Sequence, residues 1–421
     1  MSRPVLYLHV GLMKTGTTYL QGVMDGNRET LTAAGINFVG ETWSRQVRAA
    51  QDLLHLDQHD PQIASLSAGA WDALLDDVRS RPDATNVVSM EFLSFARRRS
   101  SARLARDLAG IDTHVVLTVR DAAATIPAQW QTSITSGSTH SWADFQAGVQ
   151  NAVRPWWPAY AVRGDSAVRE FRRTQDVGRV LDVWRRAVPA DHLHVITVPL
   201  DRRDPELLWR RFSEVIGVDP GAATEAPTDS NPSLGHPSSE LVRRLNLVLA
   251  DVKPWDYNRT IKTPLASSIL AARRREERRP GLDEATATVA REWNRRTRDV
   301  IQGSGAHLVG DLDDLPVTSS ASAAASAEPT PREVLDAGAT AWHGLVDLVE
   351  RRRRRVARIM GANRPEALAP REPGWLERGG SAVDLDGAIR DLSRLARTSI
   401  QLRREILELR ESDDSDSAGD A

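Results

Sequence analysis

Four apolar runs rich in β-branched residues are separated by segments with helical periodicity, and this alternation constrains the fold more than any other feature. The runs cover residues 5–10, 86–90, 114–119 and 192–198, and a shorter one lies at 307–309. Strands that alternate with helices form a parallel sheet, because each helix returns the chain to the starting edge. The sequence therefore predicts a three-layer α/β fold with helices on both faces of the sheet.

Composition excludes several classes of protein. The 421 residues contain no cysteine, so disulfides, thiolate zinc sites and iron–sulfur clusters are ruled out. The formal net charge of -2 gives no bulk attraction to nucleic acid. The apolar run at 5–10 is too short for a signal-peptide core, and no run is long enough to span a membrane. We therefore expect a cytoplasmic protein with no nucleic-acid partner and no transmembrane segment.

A change in composition after Leu315 predicts where the α/β body ends. Residues 316–331 are rich in Ser, Ala, Thr and Pro, which is typical of a flexible linker. Residues 332–411 contain two helical segments, and the second carries an apolar stripe that needs a packing partner. We predict an α/β domain at 1–315, then the linker, then a helical extension that contacts a partner or a second copy. Residues 412–421 are predicted to be a disordered acidic tail.

The strongest chemical signal is the segment 6–20, which has the pattern of a strand, a glycine-containing turn and a helix start. Backbone N–H groups of such a turn and of the helix N-terminus point at an anion. A nucleoside-triphosphate P-loop needs lysine at position 17, where this chain has Thr17, whereas its lysine is Lys14. The chain has only three lysines, which makes Lys14 unusual. The candidate binding residues of this loop are Gly11, Lys14, Thr15, Gly16, Thr17 and Thr18.

The pattern Gly-x-x-Lys-x-Gly-Thr-Thr after the first strand resembles the 5′-phosphosulfate loop of sulfotransferases that use 3′-phosphoadenosine 5′-phosphosulfate (PAPS). Val-Arg-Asp at 119–121 and Asn-Pro-Ser-Leu-Gly at 231–235 are similar to bacterial sulfotransferase-like proteins. The resemblance covers roughly residues 1–315 and implies a P-loop-like α/β fold. It implies transfer of a sulfuryl group from PAPS to a hydroxyl or amine, with 3′-phosphoadenosine 5′-phosphate (PAP) as the product. Lys14 would stabilise charge on the leaving 5′-phosphate, and no metal would be required.

The acceptor of such a transfer is left open by the sequence. Acceptor pockets are built from variable loops, whose side chains cannot be placed from the sequence. A small molecule, a lipid headgroup and a saccharide all remain possible acceptors.

Arg120 is the candidate for binding a second phosphate. It follows the predicted strand 114–119, and α/β proteins bind ligands at the carboxyl ends of their strands. A guanidinium offers forked donors to phosphate oxygens, and the resemblance assigns Arg120 to the 3′-phosphate. The family has a serine in the next helix, but Ala128 stands eight residues after Arg120. Ser133 is our preferred replacement, with Gln129 and Thr125 as alternatives.

Arg259 is a further candidate for nucleotide binding. It lies near Tyr257 and Lys262 in a loop-like segment that could close over the nucleotide. Two cations beside an aromatic ring suit a phosphate and an adenine. The alternative is an ordinary basic loop.

Glu91 is the candidate general base. It follows the predicted strand 86–90, at a position that the resemblance matches to the histidine of cytosolic sulfotransferases. An acceptor hydroxyl must lose its proton as it attacks sulfur. Partial burial beside Met90 and Phe92 would raise the pKa of the carboxyl group toward the working range. A helix-capping or ion-paired glutamate is the alternative interpretation.

Two other functions are compatible with the same residues. A nucleotide kinase with a degenerate loop would need a triphosphate and Mg²⁺, with Asp121 as the candidate acidic ligand. A non-catalytic protein of the same fold would use the C-terminal helices for assembly. Outside the loop, His192 and His194 alternate along a predicted strand and are interpreted as edge or packing residues.

Overall fold

A single sheet of six parallel strands organises the chain. The computed structural model describes residues 3–56, 61–152, 166–201, 203–227, 233–318, 327–361, 372–376 and 381–419. The strands are β1 (Val5–His9), β2 (Ile36–Phe38), β3 (Thr85–Ser89), β4 (Asp112–Val119), β5 (Leu193–Thr197) and β6 (His307–Val309). Their order across the sheet is β2-β3-β1-β4-β5-β6, and every pair is parallel. The predicted α/β class is confirmed.

Sixteen α-helices lie within the described residues. Those up to β5 are α1 (Thr17–Gly26), α2 (Arg28–Ala33), α3 (Trp43–Leu54), α4 (Pro61–Ser67), α5 (Ala70–Arg79), α6 (Ser101–Asp107), α7 (Ala122–Thr135), α8 (Trp142–Ala152), α9 (Ser166–Gln175) and α10 (Val177–Trp184). The later ones are α11 (Leu207–Ile216), α12 (His236–Val248), α13 (Pro254–Tyr257), α14 (Glu284–Ser304), α15 (Pro331–Ile359) and α16 (Ala382–Gly419). A π-helix at Asn258–Ile269 follows α13.

Both faces of the sheet are covered, because neighbouring residues of a strand point to opposite faces. In β4, Val115 and Leu117 belong to one apolar core, whereas Val116 belongs to the other. The first core is completed by residues of α3, α5, α6, α10 and α14, and the second by residues of α1, α2 and α11. This arrangement is the predicted three-layer architecture.

The chain order reverses at β1. Strands β3 and β2 lie on one side of β1, whereas β4, β5 and β6 lie on the other. In open parallel sheets such a reversal leaves a crevice at the carboxyl ends of the strands, where ligands bind. The loop after β1 and the residues that follow β3 and β4 therefore meet at the edge of the sheet where a site is expected.

By its internal contacts the chain forms two compact units. The first contains residues 1–129, 147–231 and 284–321, and includes the sheet. The second contains residues 130–146, 232–283 and 322–421. The C-terminal helices thus share a unit with two segments that the sequence assigned to the α/β body. The predicted linker lies partly outside the described residues, so the domain boundaries stay a prediction.

The second unit is built around the long helices α15 and α16. Helix α15 begins with a capping box in which Thr330 and Glu333 each bond the other's backbone N–H. Helix α16 packs along α15 and also contacts α12. Its stripe residues Leu385, Leu392 and Ala396 are buried, so the chain itself covers this part of the stripe. An oligomer through these helices stays a prediction.

Helix α16 continues to Gly419, beyond position 411 where the sequence predicts that helical structure ends. Among the described helices, none combines the length and the apolar character that crossing a membrane requires.

Candidate functional site

The loop between β1 and α1 has an unusual backbone. Gly11, Lys14 and Gly16 all have left-handed φ angles, of 58°, 66° and 91°. A non-glycine residue rarely adopts this conformation, so Lys14 is held there by its surroundings. Helix α1 begins at Thr17, directly after the last of these residues, and no side chain caps it. The free N–H groups of its first turn are therefore left for an external acceptor.

Both glycines are required by close contacts as well as by φ. A Cβ atom on Gly11 would lie 2.9 Å from the Thr17 hydroxyl and 3.2 Å from Cβ of Glu91. A Cβ atom on Gly16 would lie 2.5 Å from a methyl group of Leu208. The turn is thus packed against α1, against the start of the segment after β3, and against α11.

The Thr17 hydroxyl is a buried polar group that lacks a hydrogen-bond partner among the described residues. Its side chain lies at the first turn of α1 and is 5% exposed. Leaving a buried hydroxyl unpaired costs about 1–3 kcal/mol, so such groups usually have a ligand or water partner. The Thr17 hydroxyl could donate a hydrogen bond to an anion at the loop. Thr18 is the next residue of α1 and is partly exposed.

A line of uncharged hydrogen bonds supports the loop from below. The Thr15 hydroxyl donates to the carbonyl oxygen of Leu12 at 2.6 Å, and it lies 2.7 Å from the Thr118 hydroxyl. Nε2 of His9 is 3.0 Å from Thr118 Oγ1, and Nδ1 of His9 is 2.7 Å from the Ser89 hydroxyl. The line crosses β4, β1 and β3 beneath the site.

The bond from Thr15 to Leu12 sets the donor and acceptor of every other bond in the line, because the Leu12 carbonyl oxygen can only accept. The single proton of Thr15 is used there, so Thr118 donates to Thr15 and His9 Nε2–H donates to Thr118. His9 is fully buried, and this burial lowers its pKa to about 3. The imidazole is therefore neutral, and its Nδ1 accepts from Ser89.

No sequence pattern marks His9, Ser89 and Thr118 as site residues. The only signal was a polar residue within or at the end of an apolar strand, which is also common in ordinary cores. Register brings them together: His9 is paired with Ser89 between β1 and β3.

Glu91 lies against the loop. It begins a short 3₁₀ helix at Glu91–Phe95, directly after β3, and packs on Gly11. The Gln21 amide donates to the Glu91 carboxylate at 3.4 Å. Burial raises the pKa of the Glu91 carboxyl, while its own backbone N–H, Lys14 and Gln21 act in the opposite direction. Lys14 and Glu91 are therefore close enough to interact electrostatically.

Arg120 and Gln175 hold the tip of the loop. Arg120 Nη1 donates to the Lys14 carbonyl oxygen at 3.2 Å, and the Gln175 amide donates to the Met13 carbonyl oxygen at 2.8 Å. These two hydrogen bonds from side chains outside the loop hold the backbone of Met13 and Lys14 in place. Arg120 directly follows β4 and is partly exposed.

The Asp121 carboxylate makes hydrogen bonds that stabilise the fold. Its carboxylate accepts from the backbone N–H of Ala123 at 3.0 Å and from the Asn294 amide at 2.8 Å. Asn294 also accepts from the backbone N–H of Ala122 at 2.9 Å. Asp121 thus caps α7, while Arg120 faces the loop.

The remaining candidates belong to the second unit. Ser133 lies on α7 and is 4% exposed. The loop predicted around Arg259 is wrong, because the segment is helical: Arg259 lies in the π-helix that follows α13. The Arg259 guanidinium stacks on the Trp255 ring at 4.9 Å. The structure groups the other candidates in the first unit, whereas the assignments of Ser133 and Arg259 stay predictions. The motif at 231–235 begins at residues outside the described part of the chain.

The fold and the site define an α/β protein with a lysine-bearing, left-handed loop at the reversal point of its parallel sheet. Comparison with models of known families, with curated proteins and with solved structures gives no significant match.

Proposed function

We propose that this chain is a sulfotransferase that moves a sulfuryl group from PAPS to a hydroxyl or amine of a small-molecule, lipid or saccharide acceptor. One observation carries the proposal: Lys14 and Glu91 lie close enough to interact electrostatically at a loop whose buried Thr17 hydroxyl lacks a partner in the described chain. A cation and a carboxylate at one anion-binding loop are what transfer of a charged group to a hydroxyl needs.

The loop binds and orients the donor. PAPS supplies an electrophilic sulfur, whose bond to the 5′-phosphate oxygen breaks as the acceptor oxygen bonds to it. The first-turn N–H groups and the Thr17 hydroxyl bind the 5′-phosphate oxygens, and Lys14 offsets the charge that develops there. Arg120, which is bonded to the carbonyl oxygen of Lys14, adds a forked donor for the 3′-phosphate.

Glu91 removes the acceptor proton. Its carboxylate is partly buried, and burial raises its pKa, so it is a stronger base than an exposed glutamate. The Gln21 amide, which also donates to the Ser89 carbonyl oxygen at 2.7 Å, fixes its orientation.

The kinase alternative receives less support. It needs Asp121 as a Mg²⁺ ligand, but this carboxylate already accepts from the α7 N-terminus and from Asn294. Both donors bond Oδ1 of Asp121, so this oxygen already has a structural role at the start of α7.

Calorimetric titration of the full chain tests the proposal. We expect PAP to bind in the micromolar range without any metal, and ATP with Mg²⁺ to bind much more weakly. Selective binding of ATP with Mg²⁺ would favour the kinase, and no binding of either nucleotide would favour the non-catalytic alternative.

Glu91→Gln is expected to lower kcat about 100-fold or more, because general base catalysis contributes at least this much. The wild-type kcat/KM should fall as the pH drops through the raised pKa of Glu91, since only the deprotonated carboxylate accepts a proton. In Glu91→Gln this acidic limb should disappear. Glu214→Gln, at an exposed position of α11, is the control and should keep the wild-type profile. Unchanged turnover of Glu91→Gln at saturating PAPS would show that Glu91 is not the base.

A further inference from the structure

Four of the ten histidines of the chain meet at the amino edge of the sheet, opposite the loop. His114 lies near the start of β4, His192 directly precedes β5, His194 lies in β5, and His307 begins β6. Neighbouring rings are stacked, tilted or edge-to-face, with centroids 4.1 Å apart for the stacked pair His114 and His192. The register of the parallel strands, which pairs His194 with His307, brings them together.

Three side chains in this cluster present metal-binding atoms to one another. Oδ1 of Asp112 lies 3.4 Å from Nδ1 of His192 and 3.8 Å from Nε2 of His114, and the three side chains offer ligand atoms within 4.8 Å of one another. Ligand atoms around a tetrahedral Zn²⁺ lie roughly 3.3 Å apart, given bonds of about 2.0–2.2 Å. The spacing therefore suits a small divalent ion after slight adjustment.

The adjustment is a rotation of one imidazole ring. The rings of His114 and His192 are within 10° of parallel, so one must turn to direct its lone pair at the ion. Rotation of a histidine ring about its χ2 bond has a broad, shallow profile. Nδ1 of His192 lies 3.1 Å from the Thr113 carbonyl oxygen. An ion bound to Nδ1 would replace the proton of this hydrogen bond, and the carbonyl oxygen would then lie near the ion.

The surrounding groups favour the ligand form of His114. Its Nδ1 lies 3.0 Å from Nε2 of His194, and a metal-binding histidine commonly makes such a bond through its second nitrogen.

We propose that Asp112, His114 and His192 form a binding site for a divalent transition-metal ion such as Zn²⁺. Two imidazoles and one carboxylate are a typical ligand set for this class of ion. The ion would join the start of β4 to the turn before β5. The site is separate from the loop, and the proposal does not depend on the proposed transferase activity.

Titration of Zn²⁺ into the full chain, produced without a polyhistidine tag, tests this site. We expect one equivalent to bind, and Co²⁺ to give the visible absorption of a tetrahedral complex. His192→Ala and Asp112→Asn should each weaken Zn²⁺ binding at least about 10-fold, since even groups behind the ligands have effects of this size. His343→Ala, at an exposed position of α15, is the control and should bind Zn²⁺ like the wild type.

Thermal denaturation without metal separates loss of ligands from loss of folding. Asp112→Asn keeps the shape of the side chain, so its metal-free melting temperature should stay near the wild-type value, while the increase caused by Zn²⁺ should be lost. The proposal is wrong if the wild-type chain binds no Zn²⁺, or if both ligand variants bind it as tightly as His343→Ala does.

Discussion

Replacing Lys14 with Asn is expected to remove most of the proposed sulfotransferase activity, with a fall in kcat of about 100- to 1,000-fold, as for the loss of one preorganised charge-stabilising donor. PAP binding should weaken by about 2 kcal/mol, a normal value for a charge-assisted hydrogen bond. Asn is chosen because Lys14 has a φ of 66°, and Asn tolerates this region well. The loop backbone is then preserved while the charge is removed. Single-turnover assays with PAPS and calorimetry with PAP measure the two effects.

Two further variants serve as controls for Lys14→Asn. Lys14→Arg keeps the positive charge and should retain more activity. Lys253→Asn removes a lysine at an exposed position before α13 and should behave as wild type. If Lys14→Asn matches Lys253→Asn in turnover and in PAP affinity, the loop lysine has no part in the reaction.

Gly16→Ala should have the second largest effect, a loss of stability of about 2–5 kcal/mol. A left-handed conformation costs an L-residue about 1–2 kcal/mol, and Gly16 has a φ of 91°. The new methyl group would also overlap Leu208, and overpacking typically costs about 1–3 kcal/mol. Urea denaturation of the full chain measures the change.

Gly110→Ala is a matched control for Gly16→Ala. Gly110 has a similar φ of 83°, but a Cβ atom there would meet nothing within 4 Å. Gly110→Ala should therefore lower the free energy of unfolding only by the cost of the left-handed backbone, about 1–2 kcal/mol. Equal losses in the two variants would mean that the packing of the loop on α11 contributes nothing to stability.

The sheet was predictable because most of its strands are continuous apolar runs, which is typical of strands buried on both faces. Strand β2 was missed. It has only three residues, and its central residue is Asn37, which no periodicity marks as strand. Asn37 is accommodated because its amide donates to the side chain of Asn86 on β3 at 2.8 Å, a contact between residues far apart in sequence.

At the loop and at the histidine cluster too, features set by consecutive residues were predictable, whereas features set by contacts between distant residues were not. Residues 11–18 were predictable because they are consecutive and their residue types favour one backbone path. The support of the loop by His9 depends on the registers of two strand pairs. The histidine cluster was missed for the same reason, since alternation placed His192 and His194 on a strand but did not bring His114 beside them. The grouping of the C-terminal helices with residues 130–146 and 232–283 also depends on distant contacts.

The line from Ser89 through His9 and Thr118 to Thr15 contains only neutral dipoles. Because the Leu12 carbonyl fixes its direction, His9 must carry its proton on Nε2, and nitrogen chemical shifts of the imidazole should report this tautomer. With the pKa of His9 near 3, the support of the loop keeps its charge state across the physiological pH range. The protonation of His9 therefore does not make the shape of the loop depend on pH in this range, and Glu91 is left as a titratable group beside the loop.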